Sequence, residues 1–105
     1  MSDLLKDIKV LKIVTRAQEL AKNGDYYGSM SVCSEAISEG MKDVRLYNHR
    51  AYAYLDLGKS LINKGDREGG LADFRRARLD LEASLALNPN DSWVRDTIAD
   101  LKKIC

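Results

Sequence analysis

The sequence predicts an all-α protein of about five helices, arranged as two antiparallel hairpins followed by a closing helix. Apolar residues recur every three or four positions through long stretches of the chain, which is the period of an amphipathic helix. Turn signals at Gly24, Gly40, Gly65 and Pro89 separate these stretches, because glycine and proline commonly end helices. Part of the pattern also recurs at a fixed interval along the chain. These observations predict both the helices and their order.

The first predicted helix begins at Ser2, a suitable capping residue, and continues for about 20 residues to a stop at Asn23-Gly24-Asp25. The helix extends further at its N-terminal end than a helix pair requires. We therefore expect the apolar residues of its first turns to need another surface that covers them. Its predicted apolar stripe consists of Leu4, Leu5, Ile8, Leu11, Val14, Ala17 and Ala21.

The second predicted helix spans about Asp25 to Glu39 and stops at Gly40. Cys33 falls on its apolar face, so we expect a buried thiol. We expect Cys105 to be reduced as well, because two isolated cysteines in an intracellular chain do not indicate a disulfide framework. The other residues of the apolar face are Met30, Ala36 and Ile37.

The third helix is predicted to start near Asp43 and to run past Gly58 to Gly65-Asp66, and the fourth is predicted to end at Asn88-Pro89. Small residues alternate with large ones, so Ala51 and Gly58 should let a neighbouring helix approach closely. The rows that would pack this hairpin are Tyr47, Ala51, Tyr54, Gly58 and Leu61 in the third helix and Leu71, Phe74, Ala77, Leu81 and Leu85 in the fourth.

The start of the fourth helix has two interpretations. If it starts at about residue 66, Gly69-Gly70 lies inside the helix at a cost of about 1 kcal/mol for each glycine relative to alanine. If it starts at about residue 71, the loop 63–70 is expected to fold back over Leu61 and Ile62.

The fifth helix is predicted from about Trp93 to Ile104, after the capping residues Asn90-Asp91-Ser92. Ile98 and Ala99 match Arg50 and Ala51 in register, so we expect Ala99 to pack as Ala51 does.

An internal repeat relates the first helix to the third at an interval of 34 residues, which is the tetratricopeptide period. Three segments resemble the tetratricopeptide repeat family: RAQELAKNGDY (16–26), HRAYAYLDLG (49–58) and ASLALNPN (83–90). The matched positions are Ala17, Leu20 and Gly24 in the first helix and Ala51, Tyr54 and Gly58 in the third.

The resemblance implies a right-handed α-α superhelix of stacked helix pairs that binds other proteins. It implies a single domain, 1–105, with a first repeat at about 3–40, an extended second repeat at about 44–88 and a capping helix at about 92–104. About fourteen extra residues separate Gly58 from Pro89 compared with the family pattern. Shared between two helices, they would project the second pair roughly 10 Å past its neighbours. We expect an exposed apolar tip there, a second interface formed by Leu61, Ile62 and Leu71.

Composition excludes several classes of function. The net charge of +1 argues against nonspecific binding to nucleic acid or to a membrane surface, which requires a marked basic excess. No apolar run approaches the roughly 20 residues that span a bilayer, and the first residues lack the basic and then apolar order of a signal peptide. We therefore expect a cytoplasmic protein that binds neither nucleic acid nor membrane.

The sequence offers no catalytic or metal-binding constellation. His49 is the only histidine, and no cysteine stands at metal-ligand spacing from it. Residues 65–70 lack the preceding strand and the following Lys-Ser or Lys-Thr of a phosphate loop. Cys33, on an apolar face, lacks a neighbour that would stabilise a thiolate. We therefore predict no enzyme, no metal and no cofactor.

An arginine-rich stretch in the fourth helix is interpreted as a solvated face rather than as an anion site. Acidic residues interleave with the arginines at helical spacing, which predicts the ion pairs Arg76–Asp80 and Arg78–Glu82. The remaining members of this face are Asp73 and Arg75.

The tetratricopeptide resemblance implies that the first helix of each pair lines a concave groove. Each groove position also has the alternative of being an ordinary exposed helix residue. The lysine, asparagine and arginine clamp with which some family members grip a C-terminal carboxylate is absent, because the matching positions hold Val14, Gln18, His49, Trp93 and Thr97. By register the groove candidates are Val14, Thr15, Gln18 and Lys22 in the first repeat and Arg45, Asn48, His49, Tyr52 and Asp56 in the second.

Two functions follow from these expectations. The first is a non-catalytic adaptor that binds a peptide or helix of another protein in a shallow groove. The alternative is a small homo-oligomeric scaffold, such as a homodimer, whose exposed apolar faces serve self-association.

Overall fold

The computed structural model describes residues 2–105 and confirms an all-α fold of five helices. Each boundary lies within a few residues of its predicted position. The helices are α1 (Ser2–Lys22), α2 (Tyr26–Ser38), α3 (Val44–Asn63), α4 (Arg67–Leu87) and α5 (Ser92–Ile104). None of them combines the length and the apolar character needed to cross a membrane.

The helices pack as two hairpins and a terminal helix. Successive helices along the chain lie against one another, so that α1 pairs with α2, α3 with α4, and α5 packs on α4. The third helix also contacts α1, which joins the two hairpins. The helices α1 and α3 therefore lie side by side.

Each of the last four helices starts at an aspartate cap. The side chains of Asp25, Asp43, Asp66 and Asp91 each accept a hydrogen bond from a backbone N–H in the first turn of the helix that follows. The turns after α1, α2 and α3 each contain a glycine with positive φ, as at Gly24, where φ is 84°. The same capping chemistry therefore repeats from one helix to the next.

The helices of the second hairpin have 20 and 21 residues, which is the length of α1 at 21 residues, whereas α2 and α5 have 13 residues each. Because α4 begins at Arg67, Gly69-Gly70 lies inside the helix, and the alternative start near residue 71 with a folded-back loop is wrong. A Cβ atom on Gly70 would lie only 2.6 Å from the Gly58 carbonyl oxygen. The close approach of α3 and α4 at these two glycines accounts for a sequence that helix propensity alone disfavours.

Ala51 is completely buried in the core cluster between α3, α4 and α5, as predicted, and Ile98 is buried there too. Ala99 is exposed, so its predicted packing role is wrong. Ala51 is covered by α4, the hairpin partner of α3, whereas no helix follows α5 among the described residues. The cluster consists of Ala51, Phe74, Ala77, Leu81, Val94, Ile98 and Leu101.

The predicted apolar stripe of α1 is divided between two faces. Of the predicted residues, Val14 and Ala17 are buried against α2 and α3. Val10, which the predicted stripe did not include, is completely buried beside them, and Val10 and Val14 belong to one cluster with Ala36 and Leu46. The other face stays open because α2 and α3 cover only one side of α1, which carries apolar residues around much of its circumference. This open face consists of Leu4, Leu5, Ile8 and Leu11, which are 42 to 61 % exposed.

The expected solvated face of α4 is wrong for its two aspartates, because Asp73 and Asp80 are only 4 % and 5 % exposed. Asp80 faces α3, where Arg50 donates two hydrogen bonds to its carboxylate at 2.6 Å and 2.9 Å. The Arg50 guanidinium also donates to Ser34 Oγ on α2, at 3.0 Å. The ion pair therefore joins α3 to α4, and the hydrogen bond from Arg50 to Ser34 joins this hairpin to the first one.

Of the two ion pairs predicted on α4, one forms and the other does not. Arg76 donates to Asp73 at 2.7 Å instead of to Asp80, which Arg50 has already engaged. Arg78 lies 3.6 Å from Glu82, as predicted.

Candidate functional site

A groove of about 390 Å³ lies between α1 and α3, and we call it the α1–α3 groove. Five of the predicted partner-binding residues line it: Gln18, Lys22, His49, Tyr52 and Asp56. The other lining residues are Ala17, Ala21, Ser29 and Ala53.

The groove is a consequence of side-chain size and helical spacing. Its base is made of three alanines and a serine, whose short side chains leave space between the two helices. Its walls carry longer side chains at intervals of three and four residues, so that His49, Tyr52 and Asp56 form one row along α3. Polar side chains therefore surround a base of small residues.

Three aromatic side chains continue from the groove to α5, and we call them the aromatic row: His49, Tyr52 and Trp93. The ring centroids of His49 and Tyr52 are 5.2 Å apart, with the ring planes at 78°. Those of Tyr52 and Trp93 are 5.6 Å apart, with the planes at 75°. Both are edge-to-face pairs, the favourable geometry for aromatic rings. Trp93 is 51 % exposed, so the row ends in an open indole surface.

The aromatic row is uncharged at neutral pH. Burial lowers the pKa of His49 below its usual value, so its imidazole is neutral at pH 7. Burial and, to a lesser degree, the nearby Asp91 carboxylate raise the pKa of Tyr52. These side chains offer aromatic surface and hydrogen-bonding groups to a ligand.

Arg45 and Asn48 do not line the groove. Arg45 donates hydrogen bonds to Asp43 and, at 2.8 Å, to Asp7 on α1, and these hydrogen bonds raise the pKa of its guanidinium. It joins α1 to the start of α3. The Asn48 side chain has a buried Oδ1 atom with no hydrogen-bond partner among the described residues.

Two further groove candidates on α1 are also placed elsewhere. Val14 is buried in the core. Thr15 lines a shallow depression on the open side of α1, beside Ile8 and Leu11.

The predicted exposed tip of the second hairpin is wrong, because Leu61, Ile62 and Leu71 are all partly buried. Ile62 and Leu71 pack against the cluster between α3, α4 and α5. Leu61 packs against a cluster that includes Met30 of α2, so the first hairpin does reach it. Whether these residues form a second interface stays a prediction.

Leu61 also lines a second groove, of about 630 Å³, between α2 and α4. We call it the α2–α4 groove. Tyr54 and Leu57 of α3 line it too, while Tyr27 and Arg76 come from the flanking helices.

The sequence analysis did not assign a binding role to Trp93. The signal was available, because Asp91 and Asp43 are both helix caps and fix the register between α5 and α3. In that register Trp93 corresponds to Arg45, one of the predicted groove positions. Neither residue lines the α1–α3 groove, but Trp93, the only tryptophan of the chain, packs against the groove residue Tyr52.

Cys33 is not activated as a nucleophile. Burial raises the pKa of Cys33 to about 11, an effect that Arg50 partly offsets, so the thiol stays protonated at neutral pH. Among residues 2–105, no three histidine, cysteine, aspartate or glutamate side chains come together as metal ligands would.

Comparison of the chain with models of protein families, with curated proteins and with solved structures gave no match.

Proposed function

We propose that this chain is a non-catalytic adaptor that binds a peptide or helix of another protein in the α1–α3 groove, in the manner of a tetratricopeptide repeat domain. The observation that carries the proposal is the aromatic row, which runs from the groove to a half-exposed tryptophan on α5. Tyrosine and tryptophan are the residues that most often anchor protein interfaces. We place the adaptor in the cytoplasm.

The chemistry of the groove supports a peptide ligand. Its exposed polar side chains, Gln18, Lys22 and Asp56, can hydrogen-bond to a peptide backbone, while Tyr52 supplies a large contact surface. The groove lies on two helices that are held together by core contacts and by the Arg45–Asp7 bridge. A binding surface on such a frame loses little conformational freedom when a ligand is bound.

The test is a selection of random displayed peptides on the folded chain, with a Tyr52→Ala variant as the counter-selection. Truncating an aromatic anchor typically costs about 2 kcal/mol or more, which is at least a tenfold loss of affinity. We expect to select peptides that bind the native chain and bind the Tyr52→Ala variant at least tenfold more weakly. The matched control is Arg76→Ala, in the α2–α4 groove, which should change the affinity less than about twofold. The proposal would be contradicted if the selected peptides bind both variants with the same affinity as they bind the native chain.

Self-association is the second candidate, because the open face of α1 exposes four large apolar side chains. An exposed patch of a few hundred Å² often marks an interaction site. Sedimentation should then show concentration-dependent dimers of the native chain and monomers of a Leu4→Ser, Ile8→Ser variant. Leu79→Ser serves as the control, since Leu79 is 62 % exposed on α4, away from this face. A native chain that stays monomeric at high concentration would exclude this candidate.

A further inference from the structure

The carboxylates of two aspartates lie near Tyr52. Asp56 lies one helical turn from Tyr52 on the same face of α3. Asp91 lies close enough to Tyr52 to act on its phenol electrostatically. Among the described residues, neither of these aspartates forms a salt bridge. Asp91 is the one that acts on Tyr52, and it stands two residues before Trp93, whose ring centroid lies 5.6 Å from that of Tyr52.

The two arginines of α3 are already engaged, whereas Lys59 is exposed one helical turn beyond Asp56. Arg45 is held by Asp43 and Asp7, and Arg50 by Asp80. Neither guanidinium is available to neutralise Asp91. Lys59 and the groove residue Lys22 lie on the side of Asp56, so the carboxylate that stays without a cation beside the aromatic row is that of Asp91.

The helix α5 adds to the same asymmetry. Its buried residues Val94, Ile98 and Leu101 define the side that faces the core. By helical geometry, Trp93 and Asp100 lie along one flank of that side, whereas Arg95 and Lys102 lie along the other. The flank that carries the indole is therefore acidic, although Asp100 has Lys103 at 4.0 Å, a pair that is exposed and weak.

We propose that Tyr52 and Trp93, with the carboxylate of Asp91, bind a cationic side chain, arginine or lysine, of a basic peptide segment in the partner protein. A cation is attracted to the face of an aromatic ring, most strongly to that of tryptophan, and carboxylates beside the ring add to this attraction. The positive charge of Lys22 repels a cation from the α1 wall of the groove. The cation therefore binds on the side nearest α5. This inference rests on the proposed function and names the chemistry of the partner.

The peptide selection described above tests the inference through the composition of the peptides. We expect the peptides that depend on Tyr52 to share an arginine or lysine at one position. Peptides that depend on Tyr52 but share no basic residue would overturn this inference and leave the adaptor function standing. If no peptide depends on Tyr52, both fail.

Trp93 fluorescence then gives the affinities, because this is the only tryptophan in the chain. Replacing the shared basic residue of a selected peptide by norleucine should weaken binding roughly threefold to thirtyfold, the range of a cation–π contact. Asp91→Asn should weaken binding of the basic peptide and leave the norleucine peptide unaffected. Asparagine caps helices as well as aspartate does, so the variant should remain folded.

Asp66→Asn is the matched control, because Asp66 caps α4 in the same way as Asp91 caps α5 and does not line the α1–α3 groove. It should bind both peptides like the native chain. Equal affinities of the basic and norleucine peptides for the native chain would overturn the inference. So would an Asp91→Asn variant that binds the basic peptide as tightly as the Asp66→Asn control does.

Discussion

Replacing Gly70 by alanine should destabilise the protein, although alanine is the better helix former. On an exposed helix the change would stabilise by about 1 kcal/mol. Here the new Cβ atom would lie 2.6 Å from the Gly58 carbonyl oxygen, a backbone atom that moves only if α3 and α4 separate. Overpacking of a tight core costs about 1–3 kcal/mol, and a conflict with the backbone belongs at the upper end. The expected net loss is about 2 kcal/mol.

Urea unfolding followed by circular dichroism measures this effect. With a slope of about 1–2 kcal/mol per molar for a chain of this size, the midpoint should fall by about 1 M or more. Gly69→Ala is the control, since its Cβ atom would meet only the Asp66 side chain, and the loss of that cap offsets the gain in propensity. A Gly70→Ala protein as stable as the native chain, or more stable, would refute the close approach of α3 and α4.

Three further predictions concern stability and reactivity. Ala51→Leu should cost about 1–3 kcal/mol by overpacking a completely buried position, measured as a lower midpoint in urea. Asp80→Ala should cost about 3 kcal/mol or more in the same assay, because it leaves the Arg50 guanidinium without its buried partner. Burial raises the pKa of Cys33 to about 11, so only about one Cys33 side chain in a thousand is a thiolate at pH 8. A thiol reagent should therefore label Cys105 before Cys33. Equal labelling of both cysteines in the folded state would show that Cys33 is accessible.

The helix order and the turns could be predicted from the sequence because each depends on local chemistry. Aspartate caps and glycines of positive φ act within a few residues of their own position, and they recur at every turn from Gly24 to Gly65. The register of the α3 row also follows from local spacing. That is why the three predicted groove residues of α3 lie together.

The errors arise where a neighbouring helix decides the outcome. Helical spacing puts Ala99 in the register of Ala51, but only the packing of α4 buries that face of a helix. Spacing within α4 pairs Arg76 with Asp80, but Arg50 on α3 binds Asp80 first. Whether α4 begins at residue 67 or 71 depends on the contact between Gly58 and Gly70, which are far apart in sequence.

Amide chemical shifts test the central claim of a peptide-binding α1–α3 groove most directly. The ¹⁵N-labelled chain is titrated with a peptide selected as described above. The adaptor function predicts that the largest shifts cluster at Gln18, His49, Tyr52 and Trp93. Shifts confined to Tyr27 and Arg76 would contradict it, since they would place the ligand in the α2–α4 groove.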